Sequence, residues 1–427
     1  MAQKVSFNTL GCRLNIAETG SLASGFTDRG YEVVDFAEKA DVVFINTCTV
    51  TDKADSTCRN LIRKAQRTSP QGKVIVAGCL SQMEPEAVAA MEGVDLVLGN
   101  TEKFKVFDYL DGEIKDEDKI KVNLTTEFWG ASTTPEEGHT RAFLKIQDGC
   151  NYICSFCIIP FARGRSRTIS ISDAVIEAQV LVRRGFQEIV LTGVNIGEYE
   201  SKSGEKLSEL IQKVASVEGV KRLRLSSVEP NTITTELLEV LVKTPEFLPH
   251  FHLPLQSGDD NILSQMRRKY TVEDYRAIHR RIKSFFPEAV FGGDIILGFP
   301  GETEEMYQNT YNLVKELNMG HIHVFPYSKR AGTTAIKLPN HIDPQVKKKR
   351  VKEMIDLGEE ILRAQELLMV GSVDEVLFER RNSRGNFEGY TKNFMRVELE
   401  TNLEMKNIIE KVLIVDRADK LIVNLLS

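Results

Sequence analysis

Apolar residues in the first hundred positions fall in short continuous runs separated by amphipathic stretches. Val5–Thr9, Asp41–Thr47 (DVVFINT), Lys73–Ala77 (KVIVA) and Asp95–Leu98 read as strands. Ala17–Arg29, Ala54–Arg67 and Pro85–Met91 read as helices between them. Strands that are apolar throughout, rather than alternating, are buried on both faces, which implies a parallel sheet covered by helices. The pattern predicts an open parallel α/β sheet domain over residues 1–100.

That rhythm breaks over residues 101–140, where DGEIKDEDK is charged and ASTTPEEGHT is rich in Thr, Pro and Gly, so the stretch reads as a linker. From Arg141 the β-then-α alternation resumes. Phe143–Gln147, Glu188–Thr192, Arg222–Ser226, Phe251–Leu255, Phe291–Leu297 and Ile322–Tyr327 read as strands. Six parallel units are too few for a closed eight-stranded barrel, so an open, partial (β/α)6 barrel is expected. A charged helix over Pro344–Leu368 closes this unit, 141–368. Residues 369–427 then carry short alternating runs (VDEVLFE, GNFEGYT, FMRVELE, KVLIV, KLIVNLL) with turn residues between them. These predict a small antiparallel β-barrel and complete an α/β chain with an all-β module.

The 427 residues exceed what one hydrophobic core usually serves. A composition of 42% hydrophobic and 27% charged residues excludes a disordered or collagen-like chain. No apolar run would span a bilayer, and the opening MAQKVSFNTL is too polar for a signal peptide, so a cytoplasmic protein without membrane contact is expected. A monomer is the default. The net charge of −6 weighs against nucleic-acid binding over the whole surface and leaves local basic patches open.

Seven cysteines, an odd number, without a secretory signal point to metal ligands or nucleophiles rather than disulfides. Cys150, Cys154 and Cys157 stand as C-NYI-C-SF-C directly after the strand FLKIQDG. Three thiolates this close can hold three irons of a cubane cluster, which normally takes four cysteines; the missing ligand leaves one iron open. A zinc site is the competing reading, but it wants a fourth ligand, and no His or Cys lies between Ile158 and Glu177. Cys12, Cys48 and Cys79 are distant in sequence, yet each follows the end of a predicted strand. Ends of adjacent parallel strands lie side by side and bind ligands, so these three are expected to converge as a second three-thiolate site. Cys58 shares a helix face with Ala54, Leu61 and Ala65 and reads as a buried, inert thiol.

The C-x3-C-x2-C loop resembles that of radical S-adenosylmethionine enzymes, and IIPFARGRSR (Ile158–Arg167) resembles the stretch that follows it in the methylthiotransferases. The order of units is similar too, with the terminal module resembling the RNA-binding TRAM domain; the resemblance covers essentially the whole chain. TLGCRLN (Thr9–Asn15), SSVEP (Ser226–Pro230) and HLPLQSGDDNIL (His252–Leu263) look most like the branch acting on threonylcarbamoyladenosine in tRNA. The branches for isopentenyl-adenosine in tRNA and for an aspartate of a ribosomal protein are the alternatives. A non-catalytic metal-containing RNA-binding protein is the reading from another class, and it would need complete ligand sets rather than trios.

The resemblance implies two [4Fe-4S] clusters, on Cys150, Cys154 and Cys157 and on Cys12, Cys48 and Cys79. It implies S-adenosylmethionine both as methyl donor and as the radical source that removes hydrogen from adenine C2. It implies a sulfur donor, an electron donor such as flavodoxin or ferredoxin, and the tRNA anticodon stem-loop as partners. Phe156 stands where family members contact the cofactor adenine. Thr192, Gly193, Asn195, Glu229, Gln256, Ser257 and Asp294 follow or end barrel strands facing the same mouth and are expected to bind the cofactor, with helix caps and turns as their competing roles. Arg13, beside Cys12, suits the substrate carboxylate. Lys329 and Arg330, in PYSKRAGTTA, are expected to line the RNA approach. Since Gly371–Ser427 is close to neutral, phosphate contacts are expected from Lys347, Lys348, Lys349 and Arg350, or from Arg267, Arg268 and Lys269, with solvated helix faces as the alternative.

Overall fold

The computed structural model describes residues 2–50, 52–110, 118–124, 126–134 and 138–426, with backbone alone for 52–55. Six parallel strands form the first sheet: β1 (Lys4–Thr9), β2 (Glu32–Val34), β3 (Val42–Thr47), β4 (Lys73–Gly78), β5 (Leu96–Leu98) and β6 (Ile120–Lys121), in the order β2-β1-β3-β4-β5-β6. The four predicted strands are its centre. β2 and β6 escape the pattern because both are short edge strands with little buried surface. β6, with the helix Val106–Leu110, also shows that part of the stretch read as a linker adds to this sheet.

Continuous apolar runs are explained by burial from both sides. Val42 and Phe44 of β3 meet Leu22 and Phe26 of the helix Arg13–Thr27. Val43 and Ile45 meet Cys58, Ile62 and Ala65 of the helix Asp52–Thr68. Full burial of each such side chain stabilises the sheet by about 1.5–3 kcal/mol.

β7 (Arg141–Lys145) opens the central unit, and a short antiparallel ribbon of β8 (Gln147–Asp148) and β9 (Arg167–Thr168) closes the base of the Cys150–Cys157 loop. β10 (Glu188–Thr192), β11 (Arg222–Leu225), β12 (His250–His252), β13 (Val290–Leu297) and β14 (His321–Pro326) follow. They form two parallel sheets, β7-β10-β11 and β12-β13-β14. Parallel bridges Leu223–Phe247 and Ser227–His252 join these into one six-stranded partial barrel. β12 ends two residues before Pro254, which has no N–H to offer a ladder, and Gln256 resumes pairing with Ile295. The predicted strand over Phe251–Leu255 is accordingly shorter.

After the helix Pro344–Met369, strands β15 (Val373–Arg381), β16 (Phe387–Tyr390), β17 (Arg396–Leu399), β18 (Ile409–Arg417) and β19 (Leu421–Leu425) close a barrel in the order β15-β16-β17-β19-β18. The expected antiparallel pairing holds except between β17 and β19, which are parallel because β18 intervenes in sequence and turns the chain round. This module seats its 390–394 turn against the central barrel: Arg222 and Arg224 donate to the carbonyls of Tyr390, Thr391 and Lys392 at 2.8–3.2 Å. No helix among the described residues is long and apolar enough to cross a membrane.

Candidate metal centres and their chamber

Cys12 caps the helix after β1, Cys48 follows β3, and Cys79 opens the helix after β4. β1, β3 and β4 are adjacent, so the three thiols share one rim of the sheet. Local hydrogen bonds fix that convergence. The Asn15 amide donates to the carbonyls of Leu10 and Thr47 at 2.7 and 3.1 Å, tying the Cys12 loop to the Cys48 loop. The Thr47 hydroxyl donates to Ala77 O at 2.6 Å and accepts from Leu80 N–H at 3.2 Å, tying in Cys79. Gly11, at φ +99, lies so close to Cys48 that a Cβ there would stand 2.9 Å from its Sγ. Gly78, at φ +104, would likewise drive a Cβ to 2.7 Å from Thr47 O. Glycine is therefore required directly before Cys12 and Cys79.

Cys150, Cys154 and Cys157 sit on the loop above the β8–β9 ribbon. Cys157 N–H donates to Cys154 O at 3.1 Å, and Cys150 N–H to Gly164 O at 3.1 Å. Arg268 donates to Cys154 Sγ at 3.2 Å and pairs with Glu229. Burial pushes Cys48, Cys150 and Cys157 up to about 12, with neighbouring cysteines adding to the effect for Cys48 and Cys157. Such thiols stay neutral until a metal takes the place of the proton. Cys58 is buried in the sheet core, as expected, with Sγ 3.7 Å from Cys48 O.

Between the two trios lies a buried ionic network that the sequence reading missed. Glu18 meets Lys103 at 2.6 Å, Lys145 at 2.8 Å and Arg163 at 2.9 Å. Asp148 meets Lys145 at 2.8 Å, Arg163 at 2.9 Å and Arg167 at 2.9 Å. Four cations thus share two carboxylates, an excess of two positive charges, and Asn100 links the network to Cys79 Sγ at 3.6 Å. A buried excess of cation needs an anionic partner, and thiolate-bound clusters on either side fit that need. The one signal in sequence was Arg163, inside the quoted Ile158–Arg167 stretch.

The expected cofactor residues divide. Asn195 has both side-chain amide atoms buried without a partner, and so has Oε1 of Gln256. Gln256 is also held at φ +62, a strained conformation of the kind found at ligand sites. Their backbones are well anchored: Gln147 Oε1 accepts from Val194 and Asn195 N–H at 2.8 and 2.9 Å. Thr192 and Gly193 lie on that same turn, Thr192 spending its hydroxyl on Val190 O at 3.1 Å. Phe156 is half-buried beside Met266 and Phe299. Ser257, by contrast, is used structurally, with Thr310 Oγ1 at 3.3 Å and Asp259 N–H donating to it at 3.3 Å. Asp294 lies between His252 and His323.

Arg13, which opens the helix after Cys12, is half-buried and lowered to about 10 by burial and by Arg141, with Glu188 and Asp294 acting in the opposite sense. Lys329 is exposed, but Arg330 is buried, so only Lys329 of that pair presents a charge to solvent. Arg268 and Arg350 are also buried, the latter on Glu302 at 2.7 Å, and neither is available to phosphate.

The Radical SAM superfamily model matches residues 144–314, and Uncharacterized protein family UPF0004 matches residues 4–99. The threonylcarbamoyladenosine tRNA methylthiotransferase MtaB of Bacillus subtilis (strain 168) is 39% identical over 96% of this chain and 93% of its own. The chain belongs to the radical-SAM tRNA methylthiotransferase family. MtaB of Aquifex aeolicus (strain VF5) is 39% identical over 83% of this chain and 88% of its own. The tRNA-2-methylthio-N(6)-dimethylallyladenosine synthase of Desulfotalea psychrophila is 33% identical over 89% of each. Among solved structures, the radical S-adenosylmethionine methyltransferase TsrM of Kitasatospora setae matches with TM-score 0.58 at 17% identity, covering 79% of this chain and 77% of its own, a likeness of fold. As a radical-SAM tRNA methylthiotransferase, the protein uses an iron–sulfur cluster and S-adenosylmethionine and acts on tRNA.

Proposed function

We propose that this enzyme converts threonylcarbamoyladenosine next to the tRNA anticodon to its 2-methylthio derivative. The observation that carries this reading is the pairing of two separate cysteine trios joined by a shared buried network, with Arg13 directly beside Cys12. Relatives that carry this substrate in their names match nearly the full chain.

Cys150, Cys154 and Cys157 would hold the cluster that binds S-adenosylmethionine, and Cys12, Cys48 and Cys79 a second [4Fe-4S] cluster. The first supplies, when bound with its cofactor, the electron chemistry that activates an unreactive C–H bond, and the second an iron for sulfur. The chain's own residues bind and orient. Asn195 and Gln256 offer unpaired amides to the polar parts of the cofactor. Arg268 holds the Cys154 sulfur and Glu229 together at the barrel mouth. The Glu18–Arg163 network fixes the spacing between the trios, and Arg13 presents a guanidinium to the carboxylate of the threonyl group. A first sheet unit that extends past residue 100 to include β6, a barrel unit at 141–368 and a terminal module at 369–427, in a monomeric cytoplasmic enzyme with a flavodoxin or ferredoxin reductant and a separate sulfur donor, complete the proposal.

The test is anaerobic turnover of the reconstituted enzyme on tRNA bearing threonylcarbamoyladenosine, with digestion and nucleoside mass spectrometry. A nucleoside carrying a methylthio group in place of one hydrogen is expected. Turnover only on isopentenyl-adenosine tRNA would move the enzyme to the other tRNA branch.

A further inference from the structure

Four of the seven histidines stand on two strands that flank β13: His250 and His252 on β12, His321 and His323 on β14. The two-residue period of a strand points each pair to one face. β13 sets Gly292 opposite both His252 and His321, and Asp294 opposite His323. With no side chain at Gly292, the rings approach across the sheet, at 5.4 Å for His250–His321 and 5.3 Å for His252–His323. These two pairs have different surroundings. The His250–His321 pair is covered by Phe394 of the terminal module, with ring centroids 4.9 and 6.0 Å away. The other pair receives a carboxylate. Asp294 Oδ1 lies 3.3 Å from His252 Nε2 and 3.3 Å from His323 Nδ1, and all three ligand atoms lie within 4.8 Å of one another.

We propose that His252, Asp294 and His323 form a binding site for a divalent transition-metal cation, open toward the barrel chamber. Two imidazoles and one carboxylate on one side of an ion are the donor set that binds first-row divalent metals while leaving positions free. The two Asp294–His spacings of 3.3 Å agree with this: ligands about 2.1 Å from an ion at a near-tetrahedral angle stand roughly 3.4 Å apart. Each ligand comes from a different strand of one hydrogen-bonded sheet, so the site is held by rigid elements rather than by a loop. It is also accessible, since His323 is 61% exposed and Asp294 30%.

The charged groups that act electrostatically on Asp294 are Arg13, at the start of the helix after Cys12, and Glu229, in the turn after β11. Glu229 is engaged by Arg268. Arg13 opposes a bare cation, and an anionic ligand on the metal relieves that opposition. A carboxylate ligand on the metal offsets its charge against Arg13, and the threonyl carboxylate of the substrate is of this class. That ligand rests on the proposed substrate; the metal site does not.

The test uses the full-length enzyme with its iron–sulfur clusters reconstituted and oxidised. Mn2+ is the probe, because it prefers nitrogen and oxygen to the cysteine thiolates. Loss of the free Mn2+ electron paramagnetic resonance signal counts the bound ion without any RNA present. One equivalent is expected in the wild type, with affinity at least tenfold weaker in His323→Ala and in Asp294→Asn at unchanged iron content. His323→Ala removes an exposed ring and spares the core. Absence of binding in the wild type, or equal binding by both variants, would mean that Asp294 serves only as a hydrogen-bond acceptor, and the site would be refuted. Failure of turnover on threonylcarbamoyladenosine would refute the substrate and leave the Mn2+ count untouched.

Discussion

Arg163 and Glu18 meet in a two-pronged ion pair, Nη1 2.9 Å from Oε1 and Nη2 3.1 Å from Oε2, with both side chains shut off from solvent. Glu18 lies on the helix that begins after Cys12, and Arg163 on the short helix after Cys157. The pair thus joins the two cysteine trios through side chains alone. Arg163 also donates to Asn15 Oδ1 at 2.6 Å, and Asn15 ties together the Cys12 and Cys48 loops.

Glu18→Gln leaves Lys103, Lys145 and Arg163 buried with Asp148 as their one remaining carboxylate in this network. Breaking a buried pair costs about 3–5 kcal/mol, so a clear fall in thermal midpoint is expected by calorimetry. An unchanged midpoint would show that the network does not hold the units together.

Asn195→Ala separates a ligand role from a structural one. In the ligand-free protein both amide atoms are buried without partners, so their removal relieves a desolvation cost and stability should hold or rise. Affinity for S-adenosylmethionine, followed by equilibrium dialysis, should fall about tenfold, the worth of one hydrogen bond of ~1.4 kcal/mol. Lost stability with unchanged affinity would return Asn195 to the scaffold.

Arg268 offers a handle on the electronics of the Cys150–Cys154–Cys157 site. Its N–H to Cys154 Sγ favours the more negative, reduced state of a cluster there. Arg268→Met should lower the reduction potential by roughly 60 mV, equivalent to a tenfold change for a one-electron couple, in a potentiometric titration. A potential that stayed in place would mean that the sulfur turns away from Arg268 when iron binds.

Acid stability should report Glu188. Burial alone would push this carboxyl up, but Arg224, Arg222 and Arg141 outweigh it and hold it at about 2. The folded value lies below the unfolded one of about 4.5, so its stabilisation is complete above that pH and is lost as pH falls toward 2. Urea midpoints measured down the acid limb should drop across this window, and Glu188→Gln should start lower and drop less steeply. Parallel curves for the two proteins would remove Glu188 from the acid response.

Much of the scaffold was legible because continuous apolar strands and C-terminal strand ends are local signals. Cys12, Cys48 and Cys79 were expected to converge because each follows the end of a predicted parallel strand, and β1, β3 and β4 are neighbours in the sheet. Charged residues were the opaque part. Glu18, Lys103 and Arg163 look like solvent-facing positions until the first sheet meets the barrel and buries them together. Within the basic runs Arg267–Lys269 and Lys347–Arg350 the same effect removes one member each, since Arg268 and Arg350 turn inward onto Glu229 and Glu302 while Arg267, Lys269, Lys348 and Lys349 stay exposed. Ser257 was placed at the right strand end, yet its hydroxyl is spent on Thr310 and the Asp259 turn. Position along a strand is visible in sequence; which partner claims a polar atom is decided by tertiary contact.

The most direct measurement is the iron content and Mössbauer spectrum of the anaerobically reconstituted protein beside two triple variants, Cys12/Cys48/Cys79→Ala and Cys150/Cys154/Cys157→Ala. Two independent trios predict about eight irons in the wild type and about four in each variant, every one as a cubane cluster. Four irons in the wild type, or loss of all iron from either variant alone, would contradict two separate open clusters.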